Sequence, residues 1–323
     1  MMQLGNHTLK VSLIALGLIA STLCEGTSSA IILHDKQYRN RSTPTGSYAN
    51  SGWQHTGNWG NFLGVPIAKN HFVAASHIGG GVGQNFTLNG NTHKVTAVYN
   101  DPNSDLNVYK VDKSFSSWAA LYNGSTEVGK TAMLFGRGTQ KGAEVKVGST
   151  RKGWKWGAAD KLKSWGRNKV RSTVNGGSGL GSVLGFTFDR TSSSGGDKVD
   201  QEGIFSAGDS SGAVFINSSN KWYLAGVIYS VETPYKTSSS GSTFDAAIFD
   251  KGGLYYNNSL VSDTSTDNPA FMYATRISTN RSWINGITGA SAAPGLGAVV
   301  PEPASAMVLM AGLGMLGLRR SRK

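Results

Sequence analysis

The stretch AGDSSGAVF, residues 207–215, sets a glycine, an aspartate and two serines directly before an apolar run that reads as a strand. A serine hydroxyl is a poor nucleophile unless a base takes its proton, and that base is most often a histidine. Histidines occur at positions 7, 34, 55, 71, 77 and 93. His77 differs from the rest because it follows VAAS, which reads as a buried strand, and precedes Ile78 and three glycines. A histidine at a strand end beside a pliable turn can face a cleft. Such a base needs a carboxylate to orient it. Asp105 follows the turn NDPNS and opens the strand LNVYKV. Taken singly, GDSSG reads as a polar turn and a lone histidine as a structural one. Their order carries the weight: His77, Asp105, Ser210, each at the mouth of an expected strand, is one of the chain orders of a hydrolytic triad.

The elements that must position these residues are short. Between residues 31 and 285, apolar, β-branched or aromatic runs alternate with clusters of Gly, Asn and Ser. HFVAAS, HKVTAVY, LNVYKV, TAMLFG, LGFTFD, GAVFI and WYLAGVIYSV are the clearest. Short strands at regular spacing with glycine-rich turns point to an all-β sandwich or barrel. The 43 glycines suit tight turns and barrel corners. Only ATRISTNRSWINGI, residues 274–287, has apolar residues at helical spacing. From there to residue 299 the composition shifts to Gly, Ala and Ser, as in a flexible linker. No repeat of 20–50 residues is visible, which argues against a solenoid or propeller. At 323 residues the chain can bury a large core without covalent staples. Its one cysteine, Cys24, lies in an N-terminal apolar segment, so the body of the protein has no disulfide.

Both termini read as addresses. VSLIALGLIASTL, residues 11–23, follows Lys10 and leads to TSSA, ending at Ala30. A basic start, an apolar core and small residues at the end are the layout of a Sec signal peptide. Signal peptidase would then leave Ile31 as the first mature residue, and Leu23 ahead of Cys24 argues against a lipoprotein site. At the other end VVPEPAS, residues 299–305, precedes AMVLMAGLGMLGL and the basic stop RRSRK. These 13 apolar residues are short for a membrane span of about 20. Backed by basic residues they can rest in a bilayer during export, giving a transient membrane association. The tail resembles the PEP-CTERM sorting signal of Gram-negative bacteria. That resemblance implies export across the inner membrane, processing by an exosortase, and a place on the cell surface or in the extracellular matrix.

The formal charge is +12. Between residues 137 and 171 stand eleven Lys or Arg against Glu144 and Asp160, interleaved with Trp154, Trp156 and Trp165. Such a segment could grip an acidic exopolysaccharide. The preferred reading is a solvated face whose tryptophans pack inward, and export sets nucleic acid aside. No metal site or cofactor is suggested: histidines stop at His93, and no Cys or carboxylate cluster has ligand spacing.

Five stretches carry a family resemblance. GVPIAKNHFVAASHIGG (residues 64–80), SDLNVYKV, AGDSSGAVF, WYLAGVIYSV and YATRISTNRSWIN resemble, in order, motifs of the trypsin- and chymotrypsin-like serine proteases. They cover essentially all of residues 31–285. The resemblance implies a chymotrypsin-like fold of two antiparallel six-stranded β-barrels with a short C-terminal helix, the active site lying between the barrels. Together with the terminal segments and the linker read above, five parts are expected: a signal peptide (1–30), a first barrel (31–122), a second barrel with the terminal helix (123–287), a linker (288–299) and the sorting tail (300–323). Carried over by position, His77 is the general base, Asp105 its orienter and Ser210 the nucleophile. The backbone amides of Gly208 and Ser210 form the oxyanion hole.

The resemblance further implies that Asp209 pairs with a freshly cut N-terminal amine, here that of Ile31, so signal-peptide removal would itself activate the protein. The specificity pocket is implied at Ile204, Tyr229, Ser230 and Val231. An apolar Ile204 gives a cationic side chain no counter-charge, so cleavage of a protein or peptide substrate is expected after small or medium apolar residues. Departures from the family are Ser211 in place of glycine, Ala213 in place of proline, Ser76 in place of alanine, and the absence of disulfides. Glycine at such a turn relieves a backbone or packing constraint, and Ser211 forgoes it. Two rivals remain: a catalytically inactive module binding extracellular matrix or acidic polysaccharide, which Ser211 and the basic segment 137–171 support, and an esterase acting on polysaccharide esters with the same triad.

Overall fold

A computed structural model of the chain describes residues 30–37, 40–191 and 197–289. The signal-peptide and sorting-tail segments lie outside the described residues. Strands dominate, as the alternating apolar runs require, and residues of opposite parity face opposite sides of each sheet.

The first half contains β1 (Ile32–Leu33), β2 (Gly57–Trp59), β3 (Phe62–Ala68), β4 (His71–Ala75), β5 (Asn85–Leu88), β6 (Asn91–Asn100) and β7 (Leu106–Val111). The strands β2-β3-β4-β7-β6-β5 close into a six-stranded barrel. Its interior is aromatic: Trp59, Phe72, Phe86, Tyr109 and Phe115 pack together, with the Phe72 and Tyr109 rings stacked 4.8 Å apart.

The second half contains β8 (Thr131–Gly136), β9 (Thr139–Val147), β10 (Thr150–Ala159), β11 (Ser164–Lys169), β12 (Ser172–Asn175), β13 (Ser182–Thr187), β14 (Gly203–Ile204), β15 (Ala213–Ser218) and β16 (Lys221–Val231). There follow β17 (Tyr235–Lys236), β18 (Ala246–Ile248), β19 (Tyr255–Tyr256), β20 (Ser259–Leu260) and β21 (Phe271–Arg276). A seven-stranded sheet runs β11-β8-β15-β16-β21-β13-β12, and a three-stranded sheet β18-β10-β9 stands beside it. The all-β architecture with a short terminal helix is as expected. The helix, α1 (Ile277–Thr288), starts three residues later than its apolar spacing suggests, because Phe271–Arg276 pairs with β13 and β16 first.

Two contacts fix the assembly. Leu63, Val65, Val73, Ala75, Leu106 and Val108 of the first barrel share one buried cluster with Phe135, Ala213, Phe215, Leu224, Val227 and Ile284 of the second half. Burying large aliphatic and aromatic side chains contributes roughly 1.5–3 kcal/mol each. This common core therefore holds the two halves at a set spacing without a disulfide. The N-terminal strand departs from the expected domain boundary: β1 pairs with β14 of the second half, Ile32 opposite Ile204, so residues 32–33 belong with the second half. Among the described residues no helix is long and apolar enough to cross a membrane.

Candidate active site

The candidate base, His77, comes from the end of β4. His77 sits in a 3-10 turn, Ser76–Ile78, that follows Ala75 directly. The carbonyl of Gly79 accepts from Tyr109 Oη at 2.9 Å and from Trp59 Nε1 at 3.3 Å, so two barrel aromatics anchor the turn. Asp105 arrives from the neighbouring strand. Asp101 holds the preceding turn by accepting from the Asn103 amide at 2.9 Å and from Ser104 Oγ at 2.7 Å. The β4–β7 ladder then places Ala75 opposite Leu106.

His77 Nδ1 lies 2.6 Å from Asp105 Oδ2, and the His77 amide donates to Asp105 Oδ1 at 2.9 Å. A third donor, Ser76 Oγ, reaches the same Oδ1 at 2.6 Å. The Asp105 side chain is 4 % exposed and that of His77 is 36 % exposed. The carboxylate is thus shielded while the imidazole remains reachable. An ionised carboxylate only accepts, so Nδ1 carries the proton and Nε2 is left with its lone pair. The Tyr229 ring stands edge-on to the imidazole, centroids 5.7 Å apart. Tyr229 occupies an irregularity in the β16–β21 ladder, between the Ile228–Ala274 and Ser230–Tyr273 pairs. Of the four residues expected at a specificity pocket, Tyr229 is the one with a ring contact to His77.

The nucleophile turn runs from Ser206 to Gly212, ahead of β15. Within it the amide of Asp209 donates to Ser206 O, that of Ser211 to Ile228 O, and that of Gly212 to Asp209 O, all between 2.8 and 3.0 Å. Among the described residues, the amides of Gly208 and Ser210 donate to no protein group. Gly208 has φ +92°, a conformation that suits glycine. The Ala207 amide is likewise without a partner among the described residues, but Ala207 is exposed. Ser210 Oγ has no hydrogen-bond partner among the described residues.

Asp209 points away from Ser210 into the protein and is fully buried. Its carboxylate accepts from the Gly138 amide at 2.8 Å, from Ser206 N at 2.9 Å and Oγ at 3.0 Å, and from the Ile31 amide at 3.3 Å. Desolvation pushes its pKa up to about 6, against the pull of these donors. A Cβ at Gly136 would overlap Asp209 Oδ1, and one at Gly138 would overlap Ser206 Oγ. Both glycines are close-approach positions that make room for the carboxylate. Ile31 is fully buried with φ +46° in the continuous chain, and Ser164 Oγ donates to the carbonyl of Ala30.

Ile204 is fully buried and shares a core cluster with Phe205, Ile228 and Met272, against which Val231 packs. The Phe205 amide lies 3.4 Å from Met272 Sδ. Met272, opposite Val231 in the β16–β21 ladder, escaped the sequence reading because an apolar residue in a closing strand carries no chemical signal. Ser76 and Ser211 were read only as departures from a motif. Their hydrogen bonds could not be inferred, since a hydroxyl's partner depends on the fold. Trp154 and Trp165 of the basic segment are buried, and Trp156 is half-buried, in line with the inward-packed reading.

Comparison with known proteins adds the following. Residues 299–323 match the PEP-CTERM protein-sorting motif, the signal that its Pro-Glu-Pro, apolar and basic parts suggest. No curated protein matches the chain. Among solved structures the fold is similar to kallikrein-related peptidase 10, at 14% identity and a TM-score of 0.43, over 77% of this chain and 100% of that one. It is also similar to the passenger domain of plasmid encoded toxin, an autotransporter enterotoxin from enteroaggregative Escherichia coli. There the identity is 12% and the TM-score 0.39, over 68% of this chain and 21% of that one.

Proposed function

We propose that the chain is an exported, surface-sorted serine endopeptidase. The observation that supports this reading is an oriented, partly exposed His77–Asp105 pair at the end of β4, tied to the turn that carries Ser210 through the Ala75 amide, which donates to Ser211 Oγ at 2.9 Å. In the proposed reaction His77 Nε2 takes the proton of Ser210 Oγ as the oxygen attacks the scissile carbonyl. Asp105 holds the imidazole in the required tautomer and stabilises the imidazolium. The carbonyl oxygen gains negative charge and receives the amides of Gly208 and Ser210. A donor of this kind is worth about 3–4 kcal/mol of transition-state stabilisation. The imidazolium then protonates the leaving amine, and water, activated by the same base, releases the acyl group from Ser210.

The specificity follows from the resemblance: an apolar Ile204 at the pocket base gives a cationic side chain no counter-charge, which favours small or medium apolar side chains before the cleaved bond. The PEP-CTERM tail supports export, exosortase processing and a location at the cell surface. Purified mature protein, residues 31–299, should cleave a peptide library after Ala, Val or Leu, and the Ser210→Ala variant should not. Efficient cleavage after Arg with none after Ala or Leu would overturn the proposed specificity. Cleavage retained by Ser210→Ala would overturn the mechanism.

A further inference from the structure

Ser211 follows the nucleophile and is fully buried at φ +64°. An L-residue with a Cβ is disfavoured there and glycine is not. What the side chain contributes is a hydrogen bond: Ser211 Oγ accepts from the Ala75 amide at 2.9 Å. That donor has no strand partner. The Ser76 amide points toward β7, where it donates to Asp105 O. The Ala75 amide therefore points to the opposite side of the strand, toward β3. The β3–β4 ladder, however, has ended at the Val65–Val73 pair. Ala75 itself is fully buried, so without Ser211 its amide would be a buried, unpaired donor, which folded proteins rarely tolerate.

The backbone of Ser211 makes a second link, its amide donating to Ile228 O at 2.8 Å. Ala75 stands two residues before His77, and Ile228 immediately precedes Tyr229, whose ring abuts the imidazole. The residue beside the nucleophile is thus bonded to one strand from each half of the molecule, and both strands lead to the base. We infer that Ser211 is a positioning residue: its hydroxyl, by holding the Ala75 amide, sets where Ser210 stands relative to His77. This rests on the hydrolase reading above and supplies what glycine at this position could not.

The test compares full-length mature wild type with Ser211→Ala and Ser211→Gly, reacting each with a fluorophosphonate over a concentration series and following Ala75 amide exchange. The glycine variant removes the hydroxyl and the backbone strain together, and serves if the alanine variant folds poorly. Because small displacements of reacting groups can slow a reaction about 100-fold, the maximal inactivation rate should fall about tenfold to 100-fold in both variants. The half-saturating probe concentration should stay unchanged, and Ala75 exchange should accelerate. Labelling of the variants at the wild-type rate, or faster labelling of Ser211→Gly, would overturn the role and leave the hydrolase reading standing. A wild-type protein that does not label would remove that reading, and the positioning role with it.

Discussion

Three donors converge on Asp105: Ser76 Oγ, the His77 amide and His77 Nδ1. The carboxylate is thereby fixed in rotation as well as position, and it in turn selects the tautomer with Nε2 unprotonated. Asp105→Asn should leave the fold intact but favour the wrong tautomer, lowering kcat about 10⁴-fold, as in other triads of this kind. Ser76→Ala removes a charge-assisted bond and should lower kcat about tenfold with KM nearly unchanged. Steady-state kinetics on the best library peptide checks both, and an unchanged kcat in either variant would contradict the assigned role. The pairing of His77 with Asp105 was legible in the sequence because few residue types can do this chemistry and both sit at strand ends. Ser76 looked like a neutral replacement of alanine, since nothing local says that its hydroxyl turns toward a carboxylate 29 positions further on.

At the scale of elements, the short connection between β8 and β9 shapes the nucleophile turn from outside. Gly136 and Gly138 flank the Asp209 carboxylate so closely that a methyl group at either would collide with Asp209 or Ser206. Gly138→Ala should cost about 1–3 kcal/mol of stability through overpacking. It should also abolish reaction at Ser210, because Asp209 cannot move without carrying the turn. A denaturant titration alongside a labelling assay measures both effects, and a fully stable, fully reactive variant would contradict this account of the turn.

The strands that shape the site were the most legible elements. LNVYKV and TAMLFG are observed with the ends the sequence suggests, Leu106–Val111 and Thr131–Gly136, because apolar runs bounded by turn residues leave little freedom. The two-residue strands β1 and β14 were not legible: their pairing joins distant parts of the chain and has no local pattern. The basic segment shows the same limit. Lys152 reads as one more surface cation, yet it is buried, with Nζ 2.6 Å from Asp250 and 2.8 Å from Asp263.

For the whole molecule, the proposed removal of the signal peptide would join export to activation through the contact between the Ile31 amide and Asp209 Oδ2, 3.3 Å in the continuous chain. With the chain continuous through Ala30, a buried carboxylate pushed up to about 6 faces only neutral donors. A carboxyl whose folded pKa is raised favours the fold at low pH and loses that contribution as pH rises through it. The uncut form should therefore lose about 3 kcal/mol relative to acidic conditions by pH 7, the free-energy equivalent of the shift. Cleavage after Ala30 would place an ammonium beside the carboxylate and free Ile31 from its left-handed φ, a strain of about 1–3 kcal/mol.

The stability difference between mature and uncut protein should then grow between about pH 4 and pH 7. It should shrink above about pH 8, where α-amino groups begin to lose their proton. Urea unfolding of both forms across pH measures this, and a difference independent of pH would contradict the pairing. Replacing the buried Ile31 by Lys should abolish activity while leaving the β-sheet fold in place.

The central claim is that Ser210 is an activated nucleophile, and the most direct measurement is the intact mass of mature protein after exposure to a fluorophosphonate. Such a probe bonds to a serine whose base and oxyanion donors are assembled. The account predicts a single adduct, mapped to Ser210, on wild type and none on Ser210→Ala or His77→Ala. A folded wild-type sample that takes up no probe, or an adduct that persists in Ser210→Ala, would contradict it.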